Sequence, residues 1–210
     1  MLRLSRAALG AIGALAAPPV LYLLVEFTIG GTYPEPRFHL LVMSGASLAA
    51  AAASIALTGA AFRRNDLRAG LVGTAFTSMA GLLAIHGLAT PGFLLEEYER
   101  NATVGLAGVL AVPVGGILLA LAVLAPPAPA LARRAILWGQ LTTLGALVVF
   151  GVVGLMHPAL IPLVPLKLQP WSFMLLAPVS GVYLWIARRA FHTFRLTGRR
   201  TDLSVAVGLV

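Results

Sequence analysis

Six long apolar stretches dominate the chain, separated by short polar or proline-rich breaks. A helix that crosses a bilayer needs roughly 20 mostly apolar residues. The stretches Ala7–Ile29, Phe38–Phe62, Ala69–Thr90, Thr103–Ala125, Ala135–Met156 and Trp171–Ala190 each reach that length. Between them stand GGTYPEPR (30–37), RRNDLR (63–68), PGFLLEEYERN (91–101), PPAPALARR (126–134) and HPALIPLVPLKLQP (157–170), rich in turn-forming and helix-breaking residues. The pattern predicts an all-α, polytopic transmembrane bundle, a single integral membrane domain over residues 1–210. Residues 203–210 (LSVAVGLV) are apolar but too short to cross, and read as the first turns of a seventh span in a chain that continues further.

Composition narrows the class. Hydrophobic residues make up 59% of the 210, charged residues 10%, and mean hydropathy is +0.93. A soluble domain carries about 25% charged residues, so this chain could not cover a water-facing surface. Disorder needs the opposite balance. With no cysteine, disulfide scaffolds, cysteine zinc sites and thiol enzymes are excluded.

Charge changes the picture again. The net charge of +8 would suggest nucleic acid in a soluble protein, but it is sorted along the chain. With the N-terminus inside, the inner segments hold Arg3, Arg6, Arg63, Arg64, Arg68, Arg133, Arg134, Arg188, Arg189, Arg195, Arg199 and Arg200, against Asp66 and Asp202. The outer side holds Arg37, Arg100 and Lys167, against Glu26, Glu35, Glu96, Glu97 and Glu99. Cations accumulate in cytoplasmic loops, so the expected place is a bacterial cytoplasmic membrane with the N-terminus cytoplasmic. The surplus then favours anionic lipid headgroups and no nucleic acid. Arg188, Arg189, Arg195, Arg199 and Arg200 read as a cytoplasmic anchor.

Arg3, Arg6 and the Ala14-Leu15-Ala16 run resemble a signal peptide, but the apolar run resumes after Pro18-Pro19 and continues to Ile29. A proline-bent first span is the better reading. Pro113 and Pro178 also fall within predicted spans, where neighbours can re-satisfy the freed carbonyls. Gly45, Ala49 and Ala53, and Gly116 with Ala120, form small-residue faces. Such faces suit close packing within the monomer or a homodimer.

Candidate chemistry lies in four histidines and one acid. His39 opens the second span, His86 lies about a turn before the end of the third, and His157 follows the fifth. Glu26 sits about a turn inside the first. At 1.5 Å per residue, all four fall within about 8 Å of one membrane boundary, the outer one. His192 stands apart among the inner arginines. An ionisable group within a span usually faces the interior and a partner, which makes Glu26 a candidate partner for a histidine. Imidazole suits zinc, copper and iron, and three histidines with a carboxylate make a plausible ligand shell. Met43, one turn from His39, and Met156, beside His157, would favour copper, and Thr90 is a further supporting residue. Two of the histidines could instead be axial ligands of haem. A metal-free, pH-responsive cluster and purely structural histidines that cap helix ends remain open beside these. The chain has no HExxH, P-loop, GxGxxG or GxSxG pattern, and no enzymatic activity is expected. EEYER (96–100) reads as a solvated outer loop, and Trp171, Tyr183 and Trp185 as interfacial or packing aromatics.

Phe38-His39, the loop from Arg64 to Arg68, and the run His86-Gly87-Leu88-Ala89-Thr90-Pro91-Gly92 carry a resemblance. Residues 38–125 resemble the multi-span N-terminal, sensor-like membrane domains of bacterial signalling proteins, which precede nucleotide cyclase, diguanylate cyclase or histidine kinase modules. The resemblance implies about eight spans, a role in signal transduction, and an output module beyond Val210. The expected function is therefore a membrane-embedded sensory or ligand-binding domain. His39, His86 and His157, with Glu26, would bind a metal, haem or a proton at the outer face. The alternatives are a transporter or haem electron-transfer protein, and an intramembrane metal hydrolase. Mid-span positions offer mainly Ser, Thr and Gly, which argues against a charged transport pathway.

Overall fold

The computed structural model describes residues 36–91, 102–125, 129–161 and 170–198. The helices are α1 (Pro36–Arg64), α2 (Leu67–Leu88), α3 (Ala102–Leu124), α4 (Pro129–Met156) and α5 (Pro170–Thr197), with a 3-10 turn at Pro158–Leu160. There is no strand among the described residues. Among the described residues, four helices are long and apolar enough to cross a membrane: Arg37–Arg64, Leu67–Leu88, Ala102–Leu124 and Ala130–Met156. The expected first span, Glu26, Arg199, Arg200 and residues 203–210 lie outside the described residues. The chain divides into two compact units, residues 35–179 and residues 1–34 with 180–210. Helices α1 to α4 belong to the first, and α5 runs from the first into the second.

Helices α1 and α2 are tied by a two-residue connection, Asn65-Asp66. Asn65 takes a left-handed conformation, with φ of 52°, and the Asp66 amide donates to the Ala61 carbonyl at 3.0 Å. This closes α1 in the manner of a Schellman turn, with Asn in place of the usual Gly. Asp66 then starts α2: its Oδ1 accepts from the amides of Arg68 (3.0 Å) and Ala69 (3.2 Å), two donors that a helix start leaves unpaired. Two residues leave no slack, so α1 and α2 run antiparallel side by side.

Helix α2 is the centre of the unit. It packs against α1, α3 and α4, and is the most buried of the four, while α4 is the least. Glycines allow the approach. A β-carbon at Gly70 or Gly81 would run into Ile136 or Leu147 of α4, and one at Gly73 into Thr58 of α1. Ala61, Ala132 and Ile136 form a buried cluster, with Leu67 and Ala69 against it. The small-residue face expected at Gly45, Ala49 and Ala53 does not make these contacts. Gly45 and Ala49 are exposed, and a β-carbon at Gly45 would meet nothing within 4 Å.

Two helix boundaries differ from the hydropathy reading. Helix α4 starts at Pro129 rather than Ala135 and takes in Arg133 and Arg134. Proline is well suited to a first helical position, where its missing N–H costs nothing. Helix α5 runs beyond Ala190 to Thr197, so Arg188, Arg189 and Arg195 lie on helix. Hydropathy marks where the apolar span ends, whereas the helix ends at Gly198, which has φ of 68°. Pro113 and Pro178 both lie inside helices. At the far end of α3, Nε of Arg68 donates to the Ala125 carbonyl at 2.9 Å, a cation at the negative pole of a helix.

Candidate functional site: a histidine pair where three helices meet

His39 lies in the first turn of α1, His86 in the last turn of α2, and Val104 in the first turn of α3. The antiparallel course of the three helices brings these ends together. Nε2 of His39 and Nε2 of His86 are 3.1 Å apart. The ring centroids are 5.1 Å apart and the planes inclined at 62°. Nδ1 of His86 lies 2.8 Å from the Val104 carbonyl oxygen. A carbonyl only accepts, so this Nδ1 carries a proton. In neutral His86 the other nitrogen, Nε2, then presents a lone pair, and His39 donates its Nε2–H to it. The hydrogen-bond network thus assigns both tautomers.

The backbone makes room for this arrangement. A β-carbon on Gly108, one turn into α3 from Val104, would meet Nδ1 and Cε1 of His86 at 3.0 and 3.1 Å. A β-carbon on Gly87 would meet Cβ of Met43 at 3.2 Å and Cδ1 of Leu40 at 3.4 Å. Glycine at both positions lets α2 lie close to α1 and lets the imidazole rest on α3. Thr90 donates from Oγ1 to the His86 carbonyl at 3.0 Å. It closes the last turn of α2, and it is Val104 that orients the ring.

The three-histidine shell does not assemble. Among the described residues no group of three His, Cys, Asp or Glu could hold a metal ion. His157 is exposed beyond the end of α4, its amide donating to the Val153 carbonyl at 2.8 Å, and Met156 is exposed beside it. Equal depth brought His157 to the same layer in the sequence reading, but depth does not fix the direction in which a side chain leaves its helix. Glu26 lies outside the described residues, and His192 is exposed on α5 in the other unit.

A second polar centre lies between α1, α2 and α4, where hydropathy shows only apolar span. Gln140 donates from Nε2 to Oγ1 of Thr58 (2.7 Å) and accepts at Oε1 from Oγ1 of Thr77 (2.7 Å). Ser54 and Thr77 share a hydroxyl contact of 2.5 Å, and Ser54 lies 2.9 Å from the Gly73 carbonyl. Ser47 donates to the Ala80 carbonyl at 2.8 Å. Ser54 and Thr77 are buried. Gln140 is the signal in the sequence: an amide inside an apolar run demands partners.

Comparisons with protein-family models, with curated proteins and with solved structures return no match.

Proposed function

We propose that the chain is a multi-pass sensory domain of a bacterial cytoplasmic membrane, with six spans and a cytoplasmic N-terminus, and that the His39–His86 pair at its outer end receives the signal. The signal is a proton. The observation that carries this reading is the 3.1 Å contact between the two Nε2 atoms. A neutral pair holds one N–H between these atoms, and a singly charged pair still does. A second proton puts an N–H on both facing nitrogens, and the contact has to open. Histidine is the side chain that changes charge near neutral pH, and this contact joins the start of α1 to the end of α2. Arg37 on α1, exposed, is the described cation nearest in sequence to the pair. The described parts of α2 and α3 at this end offer no other charged side chain, and His157, just past the end of α4, is exposed.

The experiment is a pH titration of histidine resonances in the purified chain held in a lipid nanodisc, alongside a spin-label distance between α1 and α2. Coupled titration of His39 and His86, with a distance change at the acid step, is the expected result. Independent titration, or a distance indifferent to pH, would defeat the proposal.

One observation favours a metal as a second reading. Two imidazole nitrogens on tetrahedral zinc, at about 2.0–2.1 Å each, stand about 3.3 Å apart, close to the observed 3.1 Å. A ligating histidine typically donates its other N–H to a carbonyl or carboxylate, as His86 does. Zinc or copper would need further ligands, for which Met43 and Glu26 remain the candidates. Haem fits less well: axial ligands stand on opposite faces of the macrocycle, and 3.1 Å leaves no room for it between them. Metal analysis of wild type against His86→Ala separates the metal reading from the proton reading.

A further inference from the structure

Helices α1 and α4 both lie on α2 but barely touch one another. The gap between them is a cavity of about 710 Å³ with α2 as its floor. It lies within the first compact unit and is independent of the histidine pair. Its volume falls in the range of small-molecule sites, roughly 300–1,000 Å³, which in bundles lie between helices.

The lining is graded. At one end stand Ser54, Thr58, Thr77 and Gln140, joined by the hydrogen bonds described above. From there the walls are Ile55 of α1 and Leu144, Leu147 and Val148 of α4, with Ile85 of α2 beyond them; Ser47 also lines this part, its hydroxyl proton committed to the Ala80 carbonyl. The lining contains no charged side chain. An ion without a counter-charge is costly in such surroundings, so the occupant is neutral. Gln140 has two N–H donors and two acceptor sites on its oxygen, and the network occupies one of each. It therefore keeps one donor and one lone pair for a further partner. The polar end fits a single hydroxyl or carbonyl, and the walls fit an apolar body. Gln140 and Val148, eight residues apart, are about 12 Å apart along α4, which gives the scale of that body.

We propose that this cavity binds a neutral membrane amphiphile, a hydroxyl- or carbonyl-headed apolar molecule, with its head on the Gln140 amide and its body along Leu144, Leu147 and Val148. Such a molecule reaches the site sideways from the bilayer, through the gap between α1 and α4.

The test uses the full chain in nanodiscs of phosphatidylcholine and phosphatidylglycerol, photolabelled with a diazirine- and alkyne-bearing hexadecanol. Its hydroxyl-free alkane counterpart serves as the comparison. Expected is saturable labelling by the alcohol, mapped by mass spectrometry to residues 47–59 and 140–148. Labelling should fall about fivefold in Gln140→Leu, the scale of one lost hydrogen bond, while alkane labelling stays unchanged. Leu144→Trp, which fills the cavity, should abolish saturable labelling by both probes, and Val152→Trp, exposed on the same helix outside the cavity lining, should retain it and so control for the added indole. Unsaturable labelling spread over the lipid-exposed Val149 and Val152 would overturn the proposal. So would alcohol labelling that Gln140→Leu leaves unchanged. Cysteine pairs provide a further check, because the chain has no cysteine of its own. A disulfide between Leu144→Cys and a cysteine placed in residues 7–29 would show that the chain's own N-terminal segment fills the gap. A disulfide between two copies through Leu144→Cys would show that a second copy does. Either result would overturn the proposal.

Discussion

A β-carbon on Gly108 would stand 3.0 Å from Nδ1 of His86, so the imidazole reaches the Val104 carbonyl only because residue 108 has no side chain. Gly108→Ala asks for a shift of a few tenths of an ångström and should fold. Gly108→Val should force the ring off α3, at a cost of about 1–3 kcal/mol for overpacking. The His86 Nδ1–H resonance, downfield in wild type while it is held by a carbonyl, should move upfield in Gly108→Val. An unchanged resonance would count against the assigned tautomer.

The pair should titrate in two macroscopic steps that belong to it jointly. Entry of the first proton leaves the contact intact, and entry of the second opens it. In the second step two N–H groups face one another across a contact that needs a donor and an acceptor, and the folded arrangement loses that bond. Stability should therefore fall as pH falls through that step and recover as pH rises. In His39→Ala, where no second imidazole faces His86, the acid loss of stability should shrink. Thermal melts from pH 5 to pH 8, the range about the ordinary histidine value, check both points.

The Ser54–Thr77–Gln140–Thr58 network should behave as a unit. Hydrogen bonds between membrane helices average about 0.6 kcal/mol and reach about 1.7, so Gln140→Leu or Thr77→Ala should each cost about 1 kcal/mol. The double variant should cost less than their sum, because the two residues share a bond. Additive losses would mean that the 2.7 Å contact carries no coupling energy.

At the opposite end of α2, Asp66→Ala should cost about 1 kcal/mol by removing a helix cap. Arg68→Ala should cost about 0.3–1 kcal/mol by releasing the Ala125 carbonyl at the end of α3. Detergent-melt midpoints should fall in that order.

Orientation can be read chemically. In the cysteine-free background, Asn65→Cys should react with an impermeant maleimide only in inside-out vesicles, and Gly92→Cys only in right-side-out ones. The reverse pattern would invert the charge-based topology.

The sequence made the depth of each histidine legible, because rise per residue is constant along a helix. It could not make azimuth legible. His39 and His86 meet because the Asn65-Asp66 turn fixes α1 against α2, and because Gly87 and Gly108 clear the space around the ring. His157, one residue past the end of α4, is exposed. The helix ends at Pro129 and Thr197 were hidden for a different reason: hydropathy reports the span, and helix continues past it wherever arginine or an initial proline allows. Gln140 was overlooked as one polar residue in an apolar run. Its meaning depends on Thr58 and Thr77, which are far from it in sequence and adjacent only after packing.

The two-residue turn at Asn65-Asp66 bears on movement as well as on assembly. Helices α1 and α2 are covalently joined at one end only; hydrogen bonds from Ser47 and Ser54 hold them along their length, and at the other end they are fastened by two imidazoles. Two stiff rods joined in this way form a clip with a latch. Undoing the latch displaces its own end most and the joint least. The largest response to losing a single proton-sensitive contact should therefore appear beside His39 and His86, diminishing steadily toward Asp66.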